Sequence, residues 1–301
     1  MRFVLTGATG YLGSFLARSL LQSRHDVLSL SRSSHPLFHK EAAFQEEFCD
    51  AHIAEECEAQ IELFKPDVFI HAAAMASAEK CEQHPTEAHR VNVSFTASVL
   101  AAARAQGAYL CYISSDLVYD GAAAPPGGFA EDHEPLPRSV YASTKRDAEK
   151  LVFEYEKGCV LRLSLLYGAP IGEKKGGLDW MLSAFSEGRS VTLFSDEWRT
   201  PLYVGDACGI IIRLASSQPL GIYHCGGPER ISRVEFGTKV CGQFGYDPKL
   251  ITSCRRADIP SNPPRPEDVS LNCSKILSLL NYRCADIERG LELAFKEGQK
   301  L

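Results

Sequence analysis

Over the first 166 residues, short apolar or β-branched runs alternate with longer stretches of amphipathic, helix-like spacing. The runs Arg2–Thr6, Asp26–Ser31, Gln45–Cys49, Asp67–Ala73, Tyr109–Ser115 and Cys159–Leu165 have strand length and are expected as strands. Between them, Tyr11–Ser23, Ile53–Phe64, Glu82–Gln106 and Ser139–Glu156 carry the helical pattern. Strands alternating with helices of this length predict a parallel sheet covered on both faces and linked by right-handed crossovers. The expected class is α/β, a doubly wound (Rossmann) sheet.

Beyond residue 166 the alternation loosens. Gly168–Gly177 reads as a glycine- and charge-rich loop with Lys174 and Lys175 at its tip. It precedes a helix over Leu178–Glu187, a strand over Ser190–Phe194, a helix over Val204–Ser216, a strand over Gly221–Cys225 and a helix over Ser232–Gly245. Four prolines make Ile259–Pro266 an extended loop. A chain of 301 residues fits a core domain with an appended lobe. The division expected is 1–166 as the doubly wound domain, rejoined by segments around 190–216, with 167–301 mainly a smaller, mixed C-terminal lobe.

Composition narrows the partners. A net charge of -6 offers no basic stripe for a phosphate backbone, so nucleic acid is not expected. No apolar run approaches the roughly 20 residues of a membrane span. The eleven cysteines are odd in number and scattered, with no CxxC pair, and the chain starts directly in a strand-like run. Reduced structural thiols in the cytoplasm are the expected reading. No spacing of acidic residues suggests a metal site.

Candidate chemistry begins at the run Gly7-Ala8-Thr9-Gly10-Tyr11-Leu12-Gly13, which follows a strand and opens a helix. Glycines at these spacings permit a tight turn and close approach of backbone amides to a pyrophosphate, and the helix N-terminus adds partial positive charge. Gly7, Thr9, Gly10, Tyr11, Leu12 and Gly13 are therefore candidate cofactor contacts. The second strand ends in Leu30-Ser31-Arg32, with a guanidinium rather than a carboxylate, which favours the 2′-phosphate of NADP(H) over the free hydroxyl of NAD(H). Asp50 is placed to reach the adenine amino group, and Ala72, Ala73 and Ala74 leave room for a flat ring. Tyr141 and Lys145, four apart, share a helix face, and the ammonium draws the phenol toward the neutral working range. Ser115 ends the fifth strand candidate and is expected to hydrogen-bond the substrate oxygen.

These residues resemble the extended short-chain dehydrogenase/reductases, and within them the dTDP-4-dehydrorhamnose reductase family, which includes the regulatory β-subunits of methionine adenosyltransferase. The resemblance covers essentially the whole chain. It rests on Gly7–Gly13, His71-Ala72-Ala73-Ala74, Val91-Asn92, Ile113-Ser114-Ser115-Asp116-x-Val118-Tyr119-Asp120-Gly121, Tyr141–Lys145, Leu161-Arg162-Leu163-Ser164, Arg265-Pro266 and Ser274-Lys275. It implies that Ser115 is the catalytic serine, Tyr141 the general acid, and Lys145 the residue that tunes the tyrosine and holds the nicotinamide ribose. It further implies that Asn92 supports the lysine, that Asp116 contacts the substrate sugar, and that the later lobe carries the substrate's nucleotide. One position departs from the family's rhamnose-pathway reductases: Leu165 stands where they tend to carry a tryptophan, and in this the segment resembles the regulatory subunits more closely. The chain also ends at Leu301 soon after its last helix, without the docking tail expected of such a subunit.

The expected activity is NADPH-dependent reduction of a carbonyl, with a nucleotide-linked 4-keto-6-deoxy sugar as substrate. Two alternatives are an NADP-binding regulatory subunit and a nucleotide-sugar epimerase or dehydratase. Arg32 counts against the last, which holds NAD. The pattern allows a homodimer.

Overall fold

In the computed structural model, residues 1–53, 55–122, 124–169, 171 and 176–298 are described. Lys174 and Lys175, and with them the tip of the Gly168–Gly177 loop, lie outside the described residues, as does Leu301.

Strands β1 (Arg2–Thr6), β2 (Asp26–Ser31), β3 (Phe44–Phe48), β4 (Val68–His71), β5 (Tyr109–Ser115) and β6 (Gly158–Leu163) join Gly221–Cys225 in one sheet of seven. Across the sheet the order runs Gly221–Cys225, β6, β5, β4, β1, β2, β3. The order reverses between β1 and β4, which pair in parallel and so mark the topological switch point of a doubly wound fold. In register, Thr6 faces Leu30 on one side and His71 on the other. Both β5 and β6 are buried along their whole length, Arg162 of β6 included, which is why neither alternates between apolar and polar residues.

Helices α1 (Tyr11–Gln22), α2 (Glu55–Phe64), α3 (Ala78–Gln83), α4 (Pro85–His89), α5 (Phe95–Gln106) and α6 (Val140–Phe153) connect these strands. Val4, Leu28, Ile61, Phe69, Val99 and Leu110 form part of one buried cluster beneath them. The expected single helix over Glu82–Gln106 is instead α3, α4, a π-helical turn over Arg90–Ser94, and α5. Pro85 accounts for the first break, because it lacks an amide proton and takes the first position of a new helix. The wide π turn carries Asn92, only 1% exposed, into the interior, a use typical of functional sites.

The chain forms two compact units. The first comprises Met1–Ser115, Ser139–Arg162 and Cys208–Tyr223; the second comprises Asp116–Arg138, Leu163–Ala207 and His224–Leu301. Two differences from the expected division follow. The segment returning to the sheet is Cys208–Tyr223, and Asp116–Arg138 belongs with the later residues. The cause of the second is backbone pairing. Gly121 accepts from the amides of Glu267 (2.9 Å) and Asp268 (3.1 Å), and Phe129 exchanges bonds with Ser270 (2.8 Å) and Asn272 (2.7 Å). Within the second unit, Val191–Phe194 pairs in parallel with Ile251–Cys254, and Trp198–Arg199 pairs antiparallel with Ile231–Ser232. Ser232 and Glu235 form a capping box on the helix Arg233–Phe244, and Gly245 ends it in the left-handed conformation that suits glycine.

Candidate active site

The glycine run does what its spacing requires. Gly7 leaves β1 with φ +74°, and Gly10 closes the turn by donating to the Gly7 carbonyl at 2.9 Å. A Cβ at Gly13 would lie 1.9 Å from that same carbonyl oxygen, and one at Gly7 would lie 2.8 Å from the Ala73 amide. Both positions therefore exclude any larger residue. The N-cap of α1 is Gly10, which makes no side-chain cap bond, and a helix N-terminus of this kind suits an anion. The cradle fits a dinucleotide pyrophosphate.

Around it, the other expected cofactor residues take these places. Arg32 is exposed just beyond β2, where Ser31 donates to the Ser33 carbonyl at 2.8 Å and curls the chain. Buried His35 ties that segment to α1 through Ser14 at 3.1 Å. Asp50 is half-exposed, with Arg90 3.7 Å from its carboxylate and donating to its carbonyl at 3.0 Å. Ala73 donates its amide to Thr6 at 3.1 Å, which draws the Ala72–Ala74 segment against the end of β1.

Thr6 also begins a buried polar chain. Its hydroxyl lies 2.6 Å from Nδ1 of His71, whose Nε2 lies 3.0 Å from Thr96, and Thr96 donates to the Asn92 carbonyl at 2.7 Å. Burial pushes the His71 imidazole down to about 3, reinforced by Lys145, so the ring is neutral and serves as a connector. Asn92 accepts from the Met75 amide at 2.8 Å and donates to Thr144 at 2.9 Å. Among the described residues it makes no direct bond to Lys145; it holds the neighbouring position on α6.

Helix α6 starts at a Ser139 cap that accepts from the Ala142 amide. It places Tyr141 (8% exposed) and Lys145 (3% exposed) in the interior, and Ser115 ends β5, also buried. The Lys145 ammonium donates to the Ile113 carbonyl at 2.6 Å and sits 4.4 Å from the centre of the Tyr112 ring. Burial pushes its pKa down to about 7, against the opposing pull of the Glu149 carboxylate. The strand carrying Ser115 and the helix carrying Tyr141 and Lys145 are thus bonded two residues from the serine.

This burial has a consequence for stability. Between about pH 7 and 10 the unfolded chain binds a proton at Lys145 that the folded chain does not, so this group makes folding more favourable as pH rises through that window. Lys145→Met is expected to unfold at a higher temperature than the wild type at pH 7, with the gap closing toward pH 10 in calorimetric scans. A gap independent of pH would contradict the assignment.

Asp116, the residue after Ser115, belongs to the second unit. Its carboxylate accepts from Arg199 at 2.8 Å and from Ser164 at 3.1 Å. Nearby, Glu197 (5% exposed side chain) lies 3.9 Å from Arg199, 3.9 Å from Arg233 and 3.2 Å from Arg265. Three guanidiniums share this one carboxylate. Burial pushes Arg233 down to about 10; Glu197 opposes this, while Arg199 and Arg265 reinforce it, and its Nη1 has no hydrogen-bond partner among the described residues. None of the three stood out in the sequence except Arg265, because no spacing links residues this far apart.

Among the described residues no group of three His, Cys, Asp or Glu is placed to hold a metal, and no helix is long and apolar enough to cross a membrane.

The sequence model of the family described as "RmlD substrate binding domain" matches residues 1–299. The chain belongs to this family. Among RmlD-family relatives, the probable low-salt glycan biosynthesis reductase Agl14 of Haloferax volcanii is 28% identical over 97% of this chain and 98% of its own. Methionine adenosyltransferase 2 subunit beta of Mus musculus is 29% identical over 92% of this chain and 82% of its own. The crystal structure of dTDP-4-dehydrorhamnose reductase from Bacillus anthracis, in complex with NADP, superposes with a TM-score of 0.84. It shares 25% identity and covers 98% of this chain and 99% of its own. The fold of this RmlD-family chain is the Rossmann-like fold expected from its alternating pattern.

Proposed function

We propose that this protein is an NADPH-dependent reductase of a carbonyl, and that its substrate is a nucleotide-linked 4-keto-6-deoxy sugar. The observation that carries this reading is the buried Lys145 ammonium, one helical turn from Tyr141 and bonded to β5 two residues before Ser115. The Gly7–Gly13 cradle, Arg32 and the likeness to a reductase crystallised with NADP support the cofactor.

The residues divide the work as follows. Backbone amides of the Gly7–Gly13 turn hold the pyrophosphate, with Thr9, Tyr11 and Leu12 lining it. Arg32 meets the 2′-phosphate, Asp50 the adenine, Ala72–Ala74 leave space beside the backbone, and Lys145 bonds the ribose. When bound, the cofactor supplies hydride to the carbonyl carbon. Ser115 donates a hydrogen bond to the carbonyl oxygen as it gains charge. Tyr141 gives that oxygen a proton, and the positive charge of Lys145 stabilises the phenolate left behind. Asn92 holds α6 through Thr144. In the second unit, Asp116, held by Arg199, is the residue offered to the substrate sugar. The eleven free thiols, ten of them buried, support a reducing compartment such as the cytoplasm.

The test is NADPH consumption against a panel of 4-keto sugar nucleotides and simple ketones. Turnover is expected with the sugar nucleotides, and none with any carbonyl would overturn the reading. Arg32→Ala is expected to raise KM for NADPH by about tenfold to a hundredfold, the loss of one charge-assisted contact, with little change for NADH. Equal effects on both cofactors would contradict the role of Arg32.

A second reading, an NADP-binding regulatory subunit, is supported by Leu165 and by the likeness to methionine adenosyltransferase 2 subunit beta. It is favoured if the protein co-purifies with a methionine adenosyltransferase and consumes no NADPH. Tightly bound NAD would instead point to an epimerase or dehydratase.

A further inference from the structure

Glu149 lies four residues beyond Lys145 and eight beyond Tyr141, on the same inward face of α6, and is 4% exposed. No role in proton transfer falls to it, yet it is a buried carboxylate with every bond directed. It accepts from the Ser114 hydroxyl, and Arg162 of β6 grips it through Nε at 3.0 Å and Nη2 at 2.7 Å. Arg162 is itself 1% exposed. Ser114 stands between Ile113, whose carbonyl accepts from Lys145, and Ser115. Successive residues of β5 therefore bind Lys145, bind Glu149 and present the serine.

We propose that Glu149 is a positioning residue for Lys145. Gripped by Ser114 and Arg162, it fixes α6 against the end of β5 and supplies the counter-charge that favours the protonated form of the fully buried Lys145 amine. The inference rests on the reading of Tyr141 and Lys145 as a proton donor and the residue that tunes it.

Charge and geometry agree on this role. The groups around Lys145 are Glu149 and, one turn back on α6, Tyr141, with Tyr112 from β5 and His71 from β4. Tyr112 offers only the face of its ring, and His71 is neutral and hydrogen-bonded on both nitrogens. Of these, Glu149 alone carries a negative charge when the tyrosines are protonated. Arg162, on the neighbouring strand β6, cancels part of it. A purely structural ion pair would need only the Glu149–Arg162 bond; the bond from Ser114, the residue next to Ser115, to Glu149 is additional.

The experiment is an NMR titration of the protein carrying lysines labelled with carbon-13 at Cε, without substrate, with the Lys145 signal assigned by its loss in Lys145→Met. Glu149→Gln alone leaves Arg162 without its carboxylate and is open to misfolding, so the decisive variant is Glu149→Gln/Arg162→Met, in which Lys145 loses its counter-charge and no guanidinium is left behind. With its fold retained by circular dichroism, the Lys145 midpoint is expected to fall by at least one pH unit. Glu149→Asp, which keeps the charge, is expected to hold the midpoint near that of the wild type. A double variant that titrates Lys145 as the wild type does would overturn the proposal, whatever the enzyme turns over. Because the titration needs no substrate, a shifted midpoint in a protein that reduces no carbonyl would count against the proposed reaction and leave the electrostatic role of Glu149 standing.

Discussion

Replacing Tyr141 by phenylalanine is expected to lower NADPH-dependent turnover by about 10²- to 10⁴-fold, the usual share of a positioned acid. The hydroxyl is the only atom removed. The ring is 8% exposed and its packing on the inner face of α6 is retained, so the thermal midpoint should hardly move. The glycine turn proposed for the pyrophosphate is built from β1 and α1 and does not use Tyr141. NADPH affinity, followed by fluorescence, is therefore expected to stay within a few-fold of the wild type. A loss in kcat with cofactor binding preserved is the signature of a proton donor. Parallel losses of binding and turnover would show that the substitution had disturbed the site, and unchanged turnover would remove Tyr141 from the chemistry.

The second large effect is on the fold. Arg162→Met removes one partner of a buried ion pair and takes both guanidinium bonds from the buried Glu149 carboxylate. Breaking such a pair costs about 3–5 kcal/mol, a loss of about 10 °C in thermal midpoint for a protein of this size. The partner substitution reverses the sign of the argument. Adding Glu149→Gln removes the stranded charge, and replacing both members of a buried pair is close to neutral. The double variant is expected to recover most of the lost midpoint, while a double variant no more stable than Arg162→Met would show that packing of the guanidinium stem, not the charge, holds β6 to α6.

Most of the sheet was legible because its signals are local. The bounds of β1, β2 and β5 coincide with their apolar runs, and the Gly7–Gly13 turn is where three glycines in seven residues require it. Pro85 in the sequence marks a break in the long helical stretch before β5, but the π turn that brings Asn92 inward leaves no periodicity to read. Asp116 was visible as a motif residue. Its partner Arg199 stands 83 positions away, and nothing in the spacing of either announces the pair. The same holds for Asp116–Arg138, whose membership of the second unit depends on backbone bonds to residues near 270. Glu149 is the intermediate case. Its offset of four from Lys145 was readable, but a charge on a helix is ordinarily a solvated one, and only the burial of Arg162 on β6 reveals that this one is not.

The central claim is that a hydride passes from NADPH to a sugar carbonyl while Tyr141 protonates its oxygen. It is tested most directly with NADPH deuterated at the nicotinamide C4, mixed with purified protein and a nucleotide-linked 4-keto-6-deoxy sugar. The account predicts one deuterium at C4 of the product sugar for each NADPH consumed, and no such label with Tyr141→Phe over the same time. Product without deuterium, or a bound cofactor that is never consumed, would contradict it.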